Sequence, residues 1–287
     1  MNDIDPQLLA ERYCNKGEFD CRWYHGNWHL LKSLGIVSTS AVHELSICKL
    51  LKLALDSKSH PRILLTGSTD ETLIHLVHDT CSALGIKEKL FAVDICATPL
   101  AFMQAYADNN NIELTTYHSN ILEFEPGEKF DIILTHAFMG YFDDTQRRLL
   151  VKKWYLLLSD QGKVVTIQRV RPEQSPSLVR FTPQQSIQFI DAAIKAAKHT
   201  ELGNDNDLKT VEVAATEFTN NFVNHAITSK TALESLFLDA GLNFEHLEYH
   251  ALNKKGELSG PSVPSDAEFA HIIASKSSPA NNTANKR

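Results

Sequence analysis

The run Pro61-Arg62-Ile63-Leu64-Leu65-Thr66-Gly67-Ser68-Thr69-Asp70-Glu71 decides the fold, together with the residues from Thr72 to Asp94. Arg62 to Thr66 is a short apolar stretch of strand type, and Gly67-Ser68-Thr69-Asp70 breaks it. From Glu71 to Leu84 the apolar residues Leu73, Ile74, Val77, Cys81 and Leu84 fall at helical spacing, and Gly85 suits the helix end. Leu90-Phe91-Ala92-Val93 is a second strand with Asp94 at its tip. Strand, tight turn, helix and strand ending in an acid form a crossover that can hold a nucleotide. The turn offers backbone N–H groups at a helix N-terminus, and the acid can accept from ribose hydroxyls.

The alternation continues downstream. Thr98-Pro99 is the expected start of the next helix, which stops at Asn109-Asn110-Asn111. A third strand is expected over Ile112–Tyr117. A fourth over Phe130–Thr135 is the near-continuous apolar run of a buried parallel strand, with His136 past its tip. Next come a helix over Asp143–Leu158, the turn Ser159-Asp160-Gln161-Gly162 and a fifth strand over Lys163–Gln168. This pattern predicts an α/β fold, doubly wound on a mostly parallel sheet. Residues 171–228 interrupt the rhythm with two amphipathic helices, one opening at Thr182-Pro183 and one over Asp207–Val223. Thr231-x-x-Glu234 suits a capping box for a last helix ending at Ala240-Gly241. Strands over Asn243–His250 and Glu268–Ala274 bring the sheet to seven, joined by a loop over Asn253–Asp266.

Upstream, residues 1–60 are expected to form a helical cap separate from the α/β domain of residues 61–275. Residues 276–287 lack apolar content and are expected to be a disordered tail. The net charge of −7 argues against a nucleic-acid backbone as main partner. The N-terminus lacks a signal-peptide pattern and no apolar run is long enough for a bilayer. The cysteines, five in all, include no CxxC pair, so no metal site and no disulfide framework is indicated. Reduced thiols and the missing leader point to the cytoplasm.

The arrangement resembles the class I S-adenosylmethionine (SAM) dependent methyltransferases, well over residues 60–170 and less specifically beyond. Phe91-Ala92-Val93-Asp94-Ile95 resembles the family's second motif, and Phe130–Phe142 with Trp154–Val165 resembles its fourth and fifth strands. Ala240-Gly241-Leu242 and the two strands after it resemble the reversed edge strand. The resemblance implies a Rossmann-like sheet of seven strands, SAM as cofactor, and methyl transfer. It implies cofactor contacts from Gly67, Ser68 and Thr69, from Asp94 to the ribose, and from Ile95, Asn120 and Ile121 around the adenine. The first motif departs from the family: Leu65 stands where an acid is expected, and one glycine remains of three. That departure leaves two other readings open, a degenerate SAM-fold protein serving as a binding scaffold, and a SAM enzyme of different chemistry.

His136 lies where ligands meet an open α/β sheet, so it is a candidate general base and a candidate wall of the methionine pocket. Tyr141 is a weaker candidate nearby. In the aromatic stretch Trp23-Tyr24-His25-Gly26-Asn27-Trp28-His29, the pairs Tyr24/Trp28 and His25/His29 each share a helix face. The paired histidines have metal-site spacing but no third ligand in the stretch. Tyr24 and His25 are therefore read as catalytic candidates beneath the cap, with Trp23 and Trp28 packing the cap onto the sheet. Arg12, Tyr13 and Arg22 are placed near the cofactor carboxylate, and His225 near the site. A cap and an insertion that roof one sheet edge suit a small-molecule substrate, and the outer cap helices are compatible with a homodimer contact.

Overall fold

A computed structural model describes residues 5–14, 20–37, 39–56, 58–251 and 267–276. In chain order the helices are α1 (Pro6–Tyr13), α2 (Arg22–Ser33) and α3 (Glu44–Ala54), followed by the crossover β1 (Arg62–Thr66), α4 (Thr72–Ala83) and β2 (Lys89–Asp94). Then come α5 (Ala97–Asn110), β3 (Leu114–His118), β4 (Phe130–His136), α6 (Asp144–Leu157) and β5 (Leu158–Val170). The chain closes with β6 (Leu178–Val179), α7 (Pro183–Ala197), α8 (Asp205–Asn221), β7 (Asn224–His225), α9 (Lys230–Asp239), β8 (Leu242–Ala251) and β9 (Glu268–Lys276).

The main sheet has seven strands in the order β3-β2-β1-β4-β5-β9-β8. Its first five strands are parallel, and β9 runs antiparallel to both β5 and β8. Alternation along each strand sorts the core into two layers. Ile63 and Leu65 of β1 face a layer built with α3, α4 and α5, which holds Leu50, Leu51, Ile74, Val77 and Met103. Leu64 faces the other, where α6 and α9 bring Leu150, Val151, Trp154, Leu233 and Phe237. The reversal of strand order between β1 and β4 opens the crevice at the carboxyl edge, the place where such sheets take ligands.

Three differences from the sequence-based expectation have local causes. Glu44–Ala54 does not join the cap: Ile47, Leu50 and Leu51 are buried against the sheet. Thr98 does not cap α5, because Cys96 takes the position and its sulfur accepts from the Thr98 N–H. Ser229 caps α9 through the Ala232 N–H, in place of the box expected from Thr231. The insertion also contains a two-stranded ribbon, β6 with β7, too short to leave a periodicity signal. The loop expected over Asn253–Asp266 and nearly all of the tail lie outside the described residues.

A third apolar cluster fixes the roof. Trp28, Leu31 and Val37 pack with Ala193, Val211, Ala215 and Phe218, and Trp23 meets Phe218 at a ring separation of 5.9 Å. The cap aromatics thus pack α2 onto the insertion helices α7 and α8, not onto the sheet.

Candidate active site

The pocket lies at the carboxyl edge between the turn after β1 and the tip of β4, beneath α2 and α8. Its walls include Tyr24, Trp28, Gly67, Ser68, Thr69, His136, Tyr141, Arg171, Phe218 and His225. Gly67 has φ +65, and a Cβ there would lie 2.0 Å from the ring of Phe138. The turn therefore needs glycine for its backbone and for the aromatic ring seated on it. Ser68 Oγ, Thr66 Oγ1 and Thr135 Oγ1 are buried without a hydrogen-bond partner among the described residues. Of the three, Ser68 lines the pocket, and an orphaned hydroxyl in that wall fits a polar ligand there.

Asp70 ties the cap to this turn. It is buried, accepts from Trp28 Nε1 at 3.0 Å and Lys32 Nζ at 2.8 Å, and its other oxygen caps Thr72 N at 2.9 Å. Its carboxyl is held below the usual range: burial opposes this, but Lys32 and the other donors outweigh it. Tyr24 joins the same network, bonding Thr69 Oγ1 at 3.1 Å and accepting from the Tyr141 hydroxyl at 3.1 Å. Burial raises the Tyr24 phenol well above its ordinary pKa, so the hydroxyl stays protonated.

The tip of β4 is built with unusual backbone. Ala137 sits at φ 51, a left-handed conformation that residues with a Cβ seldom adopt. It leads into a single 3-10 turn, Phe138–Tyr141. Gln168 accepts from Met139 N at 3.3 Å, and Arg147 Nε donates to Met139 O at 3.0 Å. His136 Nε2 lies 2.9 Å from Nδ1 of His43, a residue of the turn before α3. Burial, then the neighbouring His43 and Arg169, pushes His136 down to about 3, and burial pushes His43 down to about 4. Both rings are neutral near pH 7, one donating to the other. His136 is thus a weaker base than an ordinary histidine, and better suited to a fixed hydrogen bond.

This pair bears on stability, together with His271, itself pushed down to about 4 by burial and the nearby His250 and His43. Each folded pKa lies below the unfolded value, so the unfolded chain binds more protons once the pH falls under about 6.5. Stability is then full above that pH and falls below it, by up to about 1.4 kcal/mol per pH unit for each histidine. Urea midpoints should drop steadily as the pH falls from about 6.5 to about 5, and His136→Asn should make the slope shallower. A midpoint constant below about pH 6.5 would count against these buried neutral rings.

The other candidates occupy scattered positions. Asp94 is half-buried at the tip of β2, accepts from Cys96 N at 2.8 Å, and is raised to about 7, chiefly by burial. Ile95 beside it is 59% exposed. Asn120 accepts from Leu122 N at 3.0 Å, and Ile121 is buried among Val93 and Phe124. His25 does not reach the pocket: its Nδ1 is 3.5 Å from Cys14 Sγ, on the side of α2 facing α5. Arg22 pairs with Asp20 in solvent, and Arg12 stacks on Tyr13, so neither reaches the pocket.

Arg171 was not singled out from the sequence. It lies just beyond β5, lines the pocket at 6% exposure, and its guanidinium has no hydrogen-bond or ion-pair partner among the described residues. Its position just past a strand tip was the available signal. Arg147 was also missed, although it lies on the α6 stripe of Leu150, Val151 and Trp154, where a cation needs a reason to be.

No family model matches the sequence, and no curated protein matches it either. In structure the chain is similar to a proposed sarcosine dimethylglycine methyltransferase from Galdieria sulphuraria, at 11% identity over 83% of this chain and 86% of that one, with TM-score 0.55. It is similar to the N-methyltransferase NodS from Bradyrhizobium japonicum, solved with S-adenosyl-L-homocysteine, at 13% identity over 95% of this chain and 99% of that one, with TM-score 0.50. A third match is an S-adenosylmethionine-dependent methyltransferase from Clostridium acetobutylicum, at 10% identity over 82% and 92% of the two chains, with TM-score 0.50. The chain therefore has the class I methyltransferase fold, as its sheet order also states. Among the described residues no helix is long and apolar enough to cross a membrane.

Proposed function

We propose that this chain binds SAM and transfers its methyl group to a small-molecule acceptor. The observation that carries this reading is the position of the pocket. It lies at the switch point of a methyltransferase-type sheet, under the cap and insertion, with the orphaned Ser68 hydroxyl in its wall. SAM supplies a methyl group made electrophilic by its sulfonium, open to in-line displacement by an acceptor atom.

The chain's own residues then have distinct tasks. Asp94 holds ribose hydroxyls with its carboxylate, and Ile95 and Ile121 flank the base. The Gly67–Thr69 turn lines the methionine end. Arg171 offers a cation to a carboxylate there, the cofactor's own or one on the acceptor. Tyr24 presents a hydroxyl from the roof and Tyr141 one from the turn after β4, and the neutral His136–His43 pair orients an acceptor through a fixed hydrogen bond. Trp28, Phe218 and Phe222 exclude water. The acidic surface and roofed pocket favour a metabolite over a polymer as partner, and the free thiols suit the cytoplasm.

The test is calorimetric titration with S-adenosylhomocysteine. Micromolar binding is expected, and Asp94→Ala should weaken it by about 1–3 kcal/mol, or five- to 150-fold. A folded protein that takes up neither SAM nor S-adenosylhomocysteine would overturn the reading. One observation favours the scaffold alternative: the Phe138 ring fills the space that Gly67 leaves open. Under that alternative Phe138→Ala would not change cofactor affinity, because none exists.

A further inference from the structure

We infer that Cys14, Cys21, His25 and Cys96 form a tetrahedral zinc site that fastens the N-terminal cap to the tip of β2. The sequence alone indicated no metal, because C-x6-C-x3-H with a fourth ligand far downstream matches no usual spacing. The fold supplies what the spacing hides. Cys14 closes α1, Cys21 caps α2, His25 lies in the first turn of α2, and Cys96 caps α5. Their ligand atoms all lie within 4.8 Å of one another.

The separations are those of a coordination shell. Cys14 Sγ is 3.5 Å from His25 Nδ1, Cys21 Sγ is 3.6 Å from Cys96 Sγ, and Cys96 Sγ is 3.7 Å from Cys14 Sγ. A tetrahedron with Zn–S bonds of about 2.3 Å and a Zn–N bond of about 2.0 Å has S–S edges of about 3.8 Å and S–N edges of about 3.5 Å. All of these cysteines are free thiols. Cys14, His25 and Cys96 are buried at 4%, 8% and 3% exposure, so three polarizable donors converge where water has little access.

The surroundings agree with this reading. Around the sulfurs Ala10 is the one other buried apolar residue of the cluster among the described residues, and the larger contact of α2 with α5 is His29 on Phe102, at a ring separation of 4.3 Å. A metal would add cohesion between α1, α2 and α5 at this small apolar cluster. The Thr98 backbone N–H donates to Cys96 Sγ at 3.5 Å, and Thr98 Oγ1 is 3.2 Å from Cys14 Sγ, the outer bonds that steady thiolate ligands. Four protein ligands close the shell, which marks a structural ion with no position left for substrate. The site also adjoins the tip of β2, since Cys96 N–H donates to Asp94.

The experiment is elemental analysis of the full-length protein, purified without chelator from zinc-supplemented cells. About one zinc per chain is expected. Replacing zinc with cobalt(II) should give the ligand-field bands of a tetrahedral site with thiolate charge transfer. Cys96→Ser and Cys14→Ser should lower the zinc content at least tenfold, and Cys48→Ser should leave it unchanged. Should the serine variants fail to fold, the native protein still decides. Zinc released stoichiometrically when its thiols are capped by a mercurial supports the site. A folded native protein with no zinc and no tetrahedral cobalt spectrum would overturn it, as would a Cys21–Cys96 or Cys14–Cys96 disulfide found by mass spectrometry.

Discussion

Gly67→Ala is expected to destabilise the protein by about 3 kcal/mol or more and to disable the pocket. Two costs act together. The residue sits at φ +65, where an added Cβ is strained before any neighbour is considered. The Cβ would also stand 2.0 Å from Cδ2 and 2.5 Å from Cε2 of Phe138, so the ring or the turn must move. The ring has little room to yield, packed as it is against Phe142 at 5.0 Å in the turn that Gln168 and Arg147 hold. The disturbance therefore spreads into the tip of β4, and cofactor affinity should fall with stability. Gly85→Ala is the control: it has a similar φ of +67 but no atom near its Cβ, so only the backbone cost remains, about 1 kcal/mol. Urea denaturation of both variants would check this. Equal losses would mean the Phe138 contact contributes nothing.

This contrast also shows what the sequence could reveal. Strand spacing and the acid at the tip of β2 were legible because they rest on periods of two and 3.6 residues. Each parallel strand of the crossover lies within a few residues of its expected place, and the resemblance over residues 60–170 rests on those elements. The site was less legible, because its contacts join distant segments. Tyr24 meets Thr69 across 45 positions and His43 meets His136 across 93, and no local pattern announces either pair. His25 was read as catalytic from its neighbours in the chain. Its real neighbours are Cys14 and Cys96, brought to it by the packing of α1 and α2 on α5. The cap boundary failed for a related reason, since the apolar face of α3 cannot say which partner will cover it.

Arg147→Met should cost about 3–5 kcal/mol, and it should act on the pocket without touching a ligand. Arg147 is 2% exposed and reaches three backbone carbonyls: Met139 O at 3.0 Å, Ala226 O at 3.0 Å and His225 O. Its ion-pair partner, Asp144, is 88% exposed, so the carbonyl dipoles more than the ion pair make burial of this cation tolerable. Methionine fills the volume but withdraws the guanidinium donors from Ala226 O and His225 O and leaves Met139 O with the Phe142 N–H alone. Lysine keeps the charge and cannot span three acceptors with one ammonium, so Arg147→Lys should lose most of the same stability. Arg148→Ala, one residue on and well exposed, should change stability by less than about 0.5 kcal/mol. The functional consequence comes from where the carbonyls lie. Met139 belongs to the turn at the β4 tip, and His225 to the ribbon strand that enters from the insertion. Arg147 is the cross-tie between floor and roof, and Gly140 packs so closely on Asn224 that a Cβ would lie 2.2 Å from its amide. Loosening the tie should let β7 withdraw His225 from the pocket wall, and weaken S-adenosylhomocysteine binding even at temperatures where the variant remains folded. A variant that loses stability while binding with unchanged affinity would show that the roof is held by α2 and Asp70 alone.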